Sequence, residues 1–456
     1  MKLRIHTAHS ELPEFIYISK LIFGDWLGLD FELMYADHKY TTLSIDGCNE
    51  NILLPDVFFN KATFDKKNKF YSDLICADRY VLPDILGQHL DLKDVPGLFK
   101  SEELFSVAPT DTFISLDIFG ASFFLVSRIE EYHTIEKDEH GRYVGNNSLM
   151  SKLDCINIPV VDIYVEILWH HLLKVAPTIK RKEMIFTKNI SCDVDNPFLF
   201  HSPYINLLKR VGGDLVYRKS LKMASNTVLG ILSNKYALKN DPFAEAIDFI
   251  IHENNKADNR VQFNFIPYAT SDRFDGRATF LFPEVKEMMR KIVSSGHFLG
   301  IHPGYETFNN ECLLTKSVEI YKQDEGKGKL IKGRQHYLRW EVGVTDLLYV
   351  AAGIRVDSSL GNADVGGFRC GTSRKFPIFS LKNREVLDLV EEPLLIMENT
   401  YFAEKYLNFG VSEDSLRKML EIKNWCRKLN GLFSVLWHNT SLLGEKEKEM
   451  YVSLIK

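Results

Sequence analysis

From about residue 184 onward, short apolar runs alternate with segments of helical period, and the apolar runs close on polar side chains able to do chemistry. Residues 185–191, 262–266, 297–301, 353–357 and 432–437 read as strands, with helices between them such as 283–294 and 415–429. Strand–helix alternation predicts a parallel sheet or barrel. In such folds the chemistry sits at the C-terminal strand ends.

The part before it reads as mixed α/β. Strands are expected near 3–6, 32–36 and 42–45, and apolar helical spacing runs from Phe15 to Trp26, ending before Gly28. Residues 112–131 pass from a short strand into an apolar helix. Another apolar helix is expected from Pro159, with that proline in its first turn. Ala176-Pro-Thr-Ile-Lys-Arg-Lys is polar and proline-broken and reads as a linker, with a strand expected from about Met184. A chain of 456 residues is too long for one ordinary domain. The expected division is a smaller mixed α/β domain at 1–180 and a strand–helix domain at 181–456. The first part shows no chemical constellation. Its adjacent His170 and His171 point to different helix faces and read as one packed, one exposed.

Composition excludes several classes. The chain is 45% hydrophobic and 26% charged, values of a soluble globular protein. Its net charge of −5 is spread along the chain, without a basic block interleaved with aromatics, so no nucleic-acid partner is expected. No apolar run reaches the roughly 18 residues of a membrane helix, and the N-terminus lacks a signal-peptide pattern. Seven widely spaced cysteines with no CxxC read as free thiols in a reducing compartment. A cytoplasmic protein is the expectation; the sequence carries no signal of oligomeric state. The many aromatics suit sugar-binding clefts, but large cores also use them, and the core reading is preferred.

Five segments can carry chemistry. In Ser191-Cys-Asp193-Val-Asp195-Asn-Pro197 two carboxylates at i and i+2 share one strand face. Like charges so close repel unless a cation sits between them. A divalent metal resolves that conflict, one carboxylate ligating and the other remaining a base. A solvated turn with an Asp cap is the plain alternative. His302 ends an apolar strand at a Pro-Gly turn, as a metal ligand or as a lone packed histidine. Gly333-Arg334-Gln-His336-Tyr-Leu-Arg339-Trp sets two arginines and a histidine among aromatics, fit to supply a ligand or hold an anionic or sugar group. Arg369 is flanked by glycines and could hold a carboxylate in place. Leu436-Trp437-His438 closes the last strand, with the histidine placed for proton transfer or simply packed.

In this order, the segments make residues from about 184 to 456 resemble the polysaccharide deacetylases of carbohydrate esterase family four, in a divergent form. Asp193 and Asp195 resemble that family's first motif, His302 its second, Arg369 its arginine motif and Leu436-Trp437-His438 its last. The N-terminal part resembles a domain of unknown function found before such regions in bacterial proteins. The resemblance implies a distorted (β/α) barrel. It also implies a metal-dependent hydrolase that removes N-acetyl or O-acetyl groups from a saccharide or polysaccharide precursor. The family's second histidine would fall at Glu306; either that residue or His336 completes the ligand set, and the aromatic, basic loop favours His336. The implied ligands are thus Asp195, His302 and His336, holding Zn²⁺, or Co, Ni or Fe. Asp193 is the implied base, Arg369 fixes its carboxylate, His438 is the acid and Glu398 orients it. Tyr305 would stabilise the oxyanion through its N–H, and Arg334, Arg339 and Trp437 would contact substrate. Two other readings stay open: an amidohydrolase acting on another C–N bond, and a degenerate barrel that binds a glycan or partner without turnover.

Overall fold

The structure, a computed structural model, describes residues 2–62, 71, 78–101, 110–199, 241–276, 279–323 and 330–456, with isolated residues between 211 and 229. The first part holds β1 (Leu3–Thr7), β2 (Phe31–Tyr35), β3 (Tyr40–Ile45), β4 (Ile52–Pro55), β5 (Arg79–Val81), β6 (Asp94–Pro96) and β7 (Thr112–Phe113). Five form a sheet ordered β2-β1-β3-β4-β7, while β5 and β6 pair with each other. Burial alternates along β1 and β3, as expected of strands with one covered face. The helical spacing that begins at Phe15 becomes an α-helix, Pro13–Ser19, continued by a wider π-type turn, Lys20–Trp26. Gly28 follows with φ +67°, and a Cβ there would lie 2.7 Å from Lys182 Cβ. Only glycine suits both demands. The chain expected to link the two parts is pinned there, Lys182 N–H donating to Leu27 O at 2.7 Å. Pro159 precedes the helix Val160–Val175 as its N-cap rather than lying in its first turn. His170 and His171 are both half-buried, not one packed and one exposed.

The second part holds β8 (Thr187–Val194), β9 (Val261–Phe265), β10 (Phe298–Ile301), β11 (Lys332–Gly333), β12 (Val356–Asp357), β13 (Phe376–Ser380), β14 (Glu385–Glu391), β15 (Ile396–Met397) and β16 (Leu432–Leu436). Together they form one sheet ordered β13-β14-β12-β11-β10-β9-β8-β16-β15. All neighbours are parallel except β13 and β14. β9 and β16 are buried at every position, and β8 from Ile190 to Val194, which is the burial of a parallel sheet covered on both faces. Strand β8 starts at Thr187, later than Met184; a few residues before it Lys182 is bonded to Leu27 of the first part. The strand expected at 353–357 forms as the two-residue β12, Val356–Asp357, while the short β11 and β15 and the β13–β14 hairpin carry too little local pattern to read from sequence. Among the described residues the ladder runs from β13 to β15 without a pairing between those edges. Parallel strands put their C-terminal ends on one rim. His302, Arg334 and Glu398 directly follow such strands, and Asp193 and His438 lie within two residues of a strand end.

A continuous apolar core joins the two parts, with Tyr17 and Phe123 packed on Phe379 at ring-centroid distances of 5.1 and 5.5 Å. Buried polar contacts cross the same boundary: Tyr17 OH donates to Pro377 O at 2.8 Å, and Ser373 Oγ donates to Asp162 at 2.7 Å. The described cysteines, Cys48, Cys155, Cys192, Cys312, Cys370 and Cys426, are free thiols; Cys76 lies outside the described residues. No helix among the described residues is long and apolar enough to cross a membrane.

Candidate functional site

Strand β8 delivers Asp193 and Asp195 to the rim, two residues apart. Asp193 is buried and its Oδ1 is fully engaged, by Asn264 Nδ2 at 2.7 Å and Arg334 Nη1 at 3.1 Å. Asn264, on β9, is held in turn by Gln262 Nε2 at 2.8 Å. It can reach Asp193 because residue 300 on β10 is glycine: a Cβ there would lie 2.0 Å from Asn264 Oδ1. Burial works to raise the Asp193 pKa, but Arg334 and His302 outweigh it and hold the carboxyl below its usual range.

Asp195, His302 and His336 bring one ligand atom each within 4.8 Å of one another. His302 Nε2 lies 3.2 Å from Asp195 Oδ1, and His336 Nε2 lies 3.5 Å from the same oxygen. Those two separations are short enough for one ion to touch all three atoms at the roughly 2.0–2.2 Å of metal–nitrogen and metal–oxygen bonds. The far sides of the rings set their tautomers. His302 Nδ1 faces Arg334 O at 2.6 Å, and His336 Nδ1 faces Asp275 Oδ1 at 2.7 Å. Both partners only accept, so both Nδ1 atoms carry hydrogen. Burial works to lower the His336 pKa, but Asp195, then Asp275, raise it to about 9; with an ion in place of the Nε2 protons, both rings would point lone pairs at a buried carboxylate oxygen that no hydrogen bond of ordinary geometry reaches. Three acceptors facing one another repel unless a cation lies between them, so the donor set fits a divalent metal, with Asp275 and the Arg334 carbonyl as outer partners.

Backbone strain helps place His336. Tyr337 and Leu338, next to His336, have φ +61° and +55°. Such left-handed residues persist when their surroundings over-determine them. Here the loop is held by Gln335 N–H on Ser359 Oγ at 2.8 Å and by the His336–Asp275 contact.

Across the rim, His438 stands two residues beyond the end of β16. Its Nδ1 lies 2.7 Å from Glu398 Oε1, and its Nε2 lies 3.7 Å from Asp195 Oδ2. Burial works to lower its pKa, but Glu398 first, then Asp195 and Asp193, raise it to about 10. A cation beside Asp195 would offset part of that rise. These groups open on one cavity of about 370 Å³ whose walls include Phe274, Tyr337 and Tyr406.

Several expected roles are corrected. Arg369 does not touch Asp193. It pairs with Glu131 of the first part, Nε to Oε1 at 2.8 Å and Nη2 to Oε2 at 2.7 Å, with Arg128 on the same carboxylate. Arg334, expected at substrate, is buried and holds Asp193 instead. Arg339 lies between the Tyr305 and Phe308 rings, behind the cavity wall. Tyr305 gives its N–H to Asp275 Oδ1 at 2.8 Å, so that donor is not free for an oxyanion. Trp437 is fully buried against Phe402 and Tyr451 and does not line the cavity. Glu306 turns outward to Arg339 at 3.4 Å, away from the ligand cluster. Sequence reasoning missed Asp275, Asn264 and Arg142. The first two are lone polar residues without a motif, and the third lies far upstream in the chain.

Residues 3–177 match a family of unknown function, DUF7033. Among solved structures, the chain is similar to a candidate polysaccharide deacetylase from Mycobacterium smegmatis, with 13% identity, coverage of 60% of this chain and 85% of that one, and a TM-score of 0.36. No curated protein matches the chain.

Proposed function

We propose that the chain is a metal-dependent hydrolase that removes an acetyl group from a saccharide or a polysaccharide precursor. In this reading residues 181–456 form a distorted (β/α) barrel and residues 1–180 a domain packed on it. The observation that carries it is the convergence of a ligand trio, a buried carboxylate and a carboxylate-backed histidine on one cavity. The aromatic wall of Phe274, Tyr337 and Tyr406 supports a sugar as the substrate, because aromatic faces pack on apolar sugar faces.

Asp195, His302 and His336 would hold a divalent ion, zinc by preference, which would supply Lewis acidity to the carbonyl and the water. Asp193 accepts the proton of the attacking water at Oδ2, since Oδ1 is occupied by Asn264 and Arg334. Keeping that carboxylate charged at neutral pH is the task of Arg334. His438 donates from Nε2 to the departing amine or alcohol, while Glu398 fixes its ring through Nδ1.

The test pairs metal analysis of the purified protein with an acetate-release assay on N-acetylated and O-acetylated sugars. About one equivalent of metal, lost in Asp195→Ala and His302→Ala, together with acetate release abolished by Asp193→Asn, is the expected result. Metal without acetate from any sugar points to a different C–N bond as substrate. No metal even after soaking with excess Zn²⁺ replaces the reading with a glycan-binding barrel that does no chemistry.

A further inference from the structure

Arg142 belongs to the first part of the chain, yet it lines the cavity above the ligand trio. It is 5% exposed. Three of its N–H groups donate hydrogen bonds: Nε to Asp138 Oδ2 at 2.7 Å, Nη2 to Tyr406 OH at 3.0 Å and Nη1 to Tyr337 O at 3.1 Å. Nη2 is also ion-paired with Asp138 Oδ2 at 2.7 Å. Nη1 carries a second N–H with no hydrogen-bond acceptor among the described residues. Its loop is tight, because Asp138 Oδ1 accepts the backbone N–H groups of both His140 and Arg142 at 2.9 Å. The His140 ring docks on Tyr305 OH at 3.0 Å. The guanidinium is therefore held rigidly against the cavity.

Lys405 lines the same cavity from the second part. It is exposed, with its ammonium 4.7 Å from the Tyr406 ring centroid, and it forms no ion pair with a described carboxylate. Asp138, the counterion of Arg142, is not among the cavity's lining residues, and the only carboxylates that are belong to Asp193 and Asp195. Apart from Asp193, Asp195 and the three histidines, the described lining thus presents two cations, Arg142 and Lys405, one from each part of the chain, and no anion.

We propose that Arg142 and Lys405 form an anion subsite, so that the substrate carries a carboxylate or phosphate beside the group that is removed. That the anion sits on a saccharide rests on the hydrolase reading; the anion itself rests on the two cations. Arg142 offers a directed N–H, and Lys405 a mobile point charge that tolerates either anion. The first part of the chain thereby sets the specificity of chemistry carried by the second.

The test is calorimetric titration of the zinc-loaded full chain with three probes: a neutral N-acetylglucosamine tetramer, a hyaluronan tetrasaccharide, and N-acetylglucosamine 1-phosphate. At least one anionic probe should bind about tenfold more tightly than the neutral one, and the better of the two identifies carboxylate or phosphate. That preference should shrink about tenfold in Arg142→Gln and about threefold in Lys405→Gln. Lys405 is exposed, so its variant reports even if the Arg142 variant fails to fold. Equal affinity for charged and neutral probes, no binding of any probe, or a preference that survives both substitutions overturns the subsite; survival would put the anion on the metal. Because binding is read without turnover, an anion preference without acetate release sinks only the hydrolase reading. Acetate release without a preference sinks only this one.

Discussion

The guanidinium of Arg334 donates to Asp193 Oδ1 at 3.1 Å and to Ser191 Oγ at 2.7 Å, entirely out of contact with water. A buried carboxylate stripped of such a partner is strongly destabilised as an anion. Arg334→Met should therefore raise the Asp193 pKa, move the acidic limb of the pH–rate profile to higher pH, and cost about 10²–10⁴ in rate near neutrality. Arg369→Met should lower the melting temperature but leave that limb in place, because Arg369 serves Glu131. A limb shifted by Arg369→Met and not by Arg334→Met would reverse the assignment.

Glu398 should act on the alkaline side. Its carboxylate, 2.7 Å from His438 Nδ1, is the leading cause of that histidine's raised pKa. In Glu398→Gln the largest raising influence is lost, so the pKa falls and less of the acid stays protonated at a given pH. The alkaline limb of the rate profile should move to lower pH, with little change in bound metal. Profile and metal content measured on one preparation check both parts.

Asp275 should govern metal retention. It accepts from His336 Nδ1 at 2.7 Å and fixes the ring that aims Nε2 at the ligand cluster. Loss of such an outer partner typically weakens binding about 10–100-fold. Competition of Asp275→Asn with a zinc chelator should show a loss in that range.

Glu131 should set acid stability. Burial works to raise its pKa, but Arg128 and Arg369 outweigh it and hold the carboxyl at about 2. A depressed carboxyl contributes stability that is complete above the unfolded-state pKa of about 4.3 and lost as pH falls towards 2. The contribution is about 3 kcal/mol. Glu131→Gln leaves two buried arginines without a carboxylate and should cost about 3–5 kcal/mol at pH 7. Denaturant melts between pH 7 and 2.5 should show the variant losing less stability on acidification than the wild type.

Strands β8, β9, β10 and β16 were legible because apolar runs bounded by polar residues are a local signal. His302 and His438 were legible for the same reason, standing where such runs stop. The helix Pro283–Ser294 was legible in its bounds, its proline opening the first turn. Two-residue strands such as Lys332–Gly333 have no period to detect and exist only through their parallel neighbours.

By itself the sequence determined the strand–helix alternation and the residue types at the strand ends, because hydrophobic period and side-chain chemistry are properties of neighbouring residues. The tertiary structure decided which arginine faces Asp193. Arg334 and Arg369 both stand beside glycines, and only the sheet order β8-β9-β10-β11 brings the first to Asp193 while packing of the two parts gives the second to Glu131. It likewise set Asp275 behind His336 and Arg142 at the cavity wall. Such distances depend on sheet order and loop paths, which hundreds of residues fix together and no local stretch encodes.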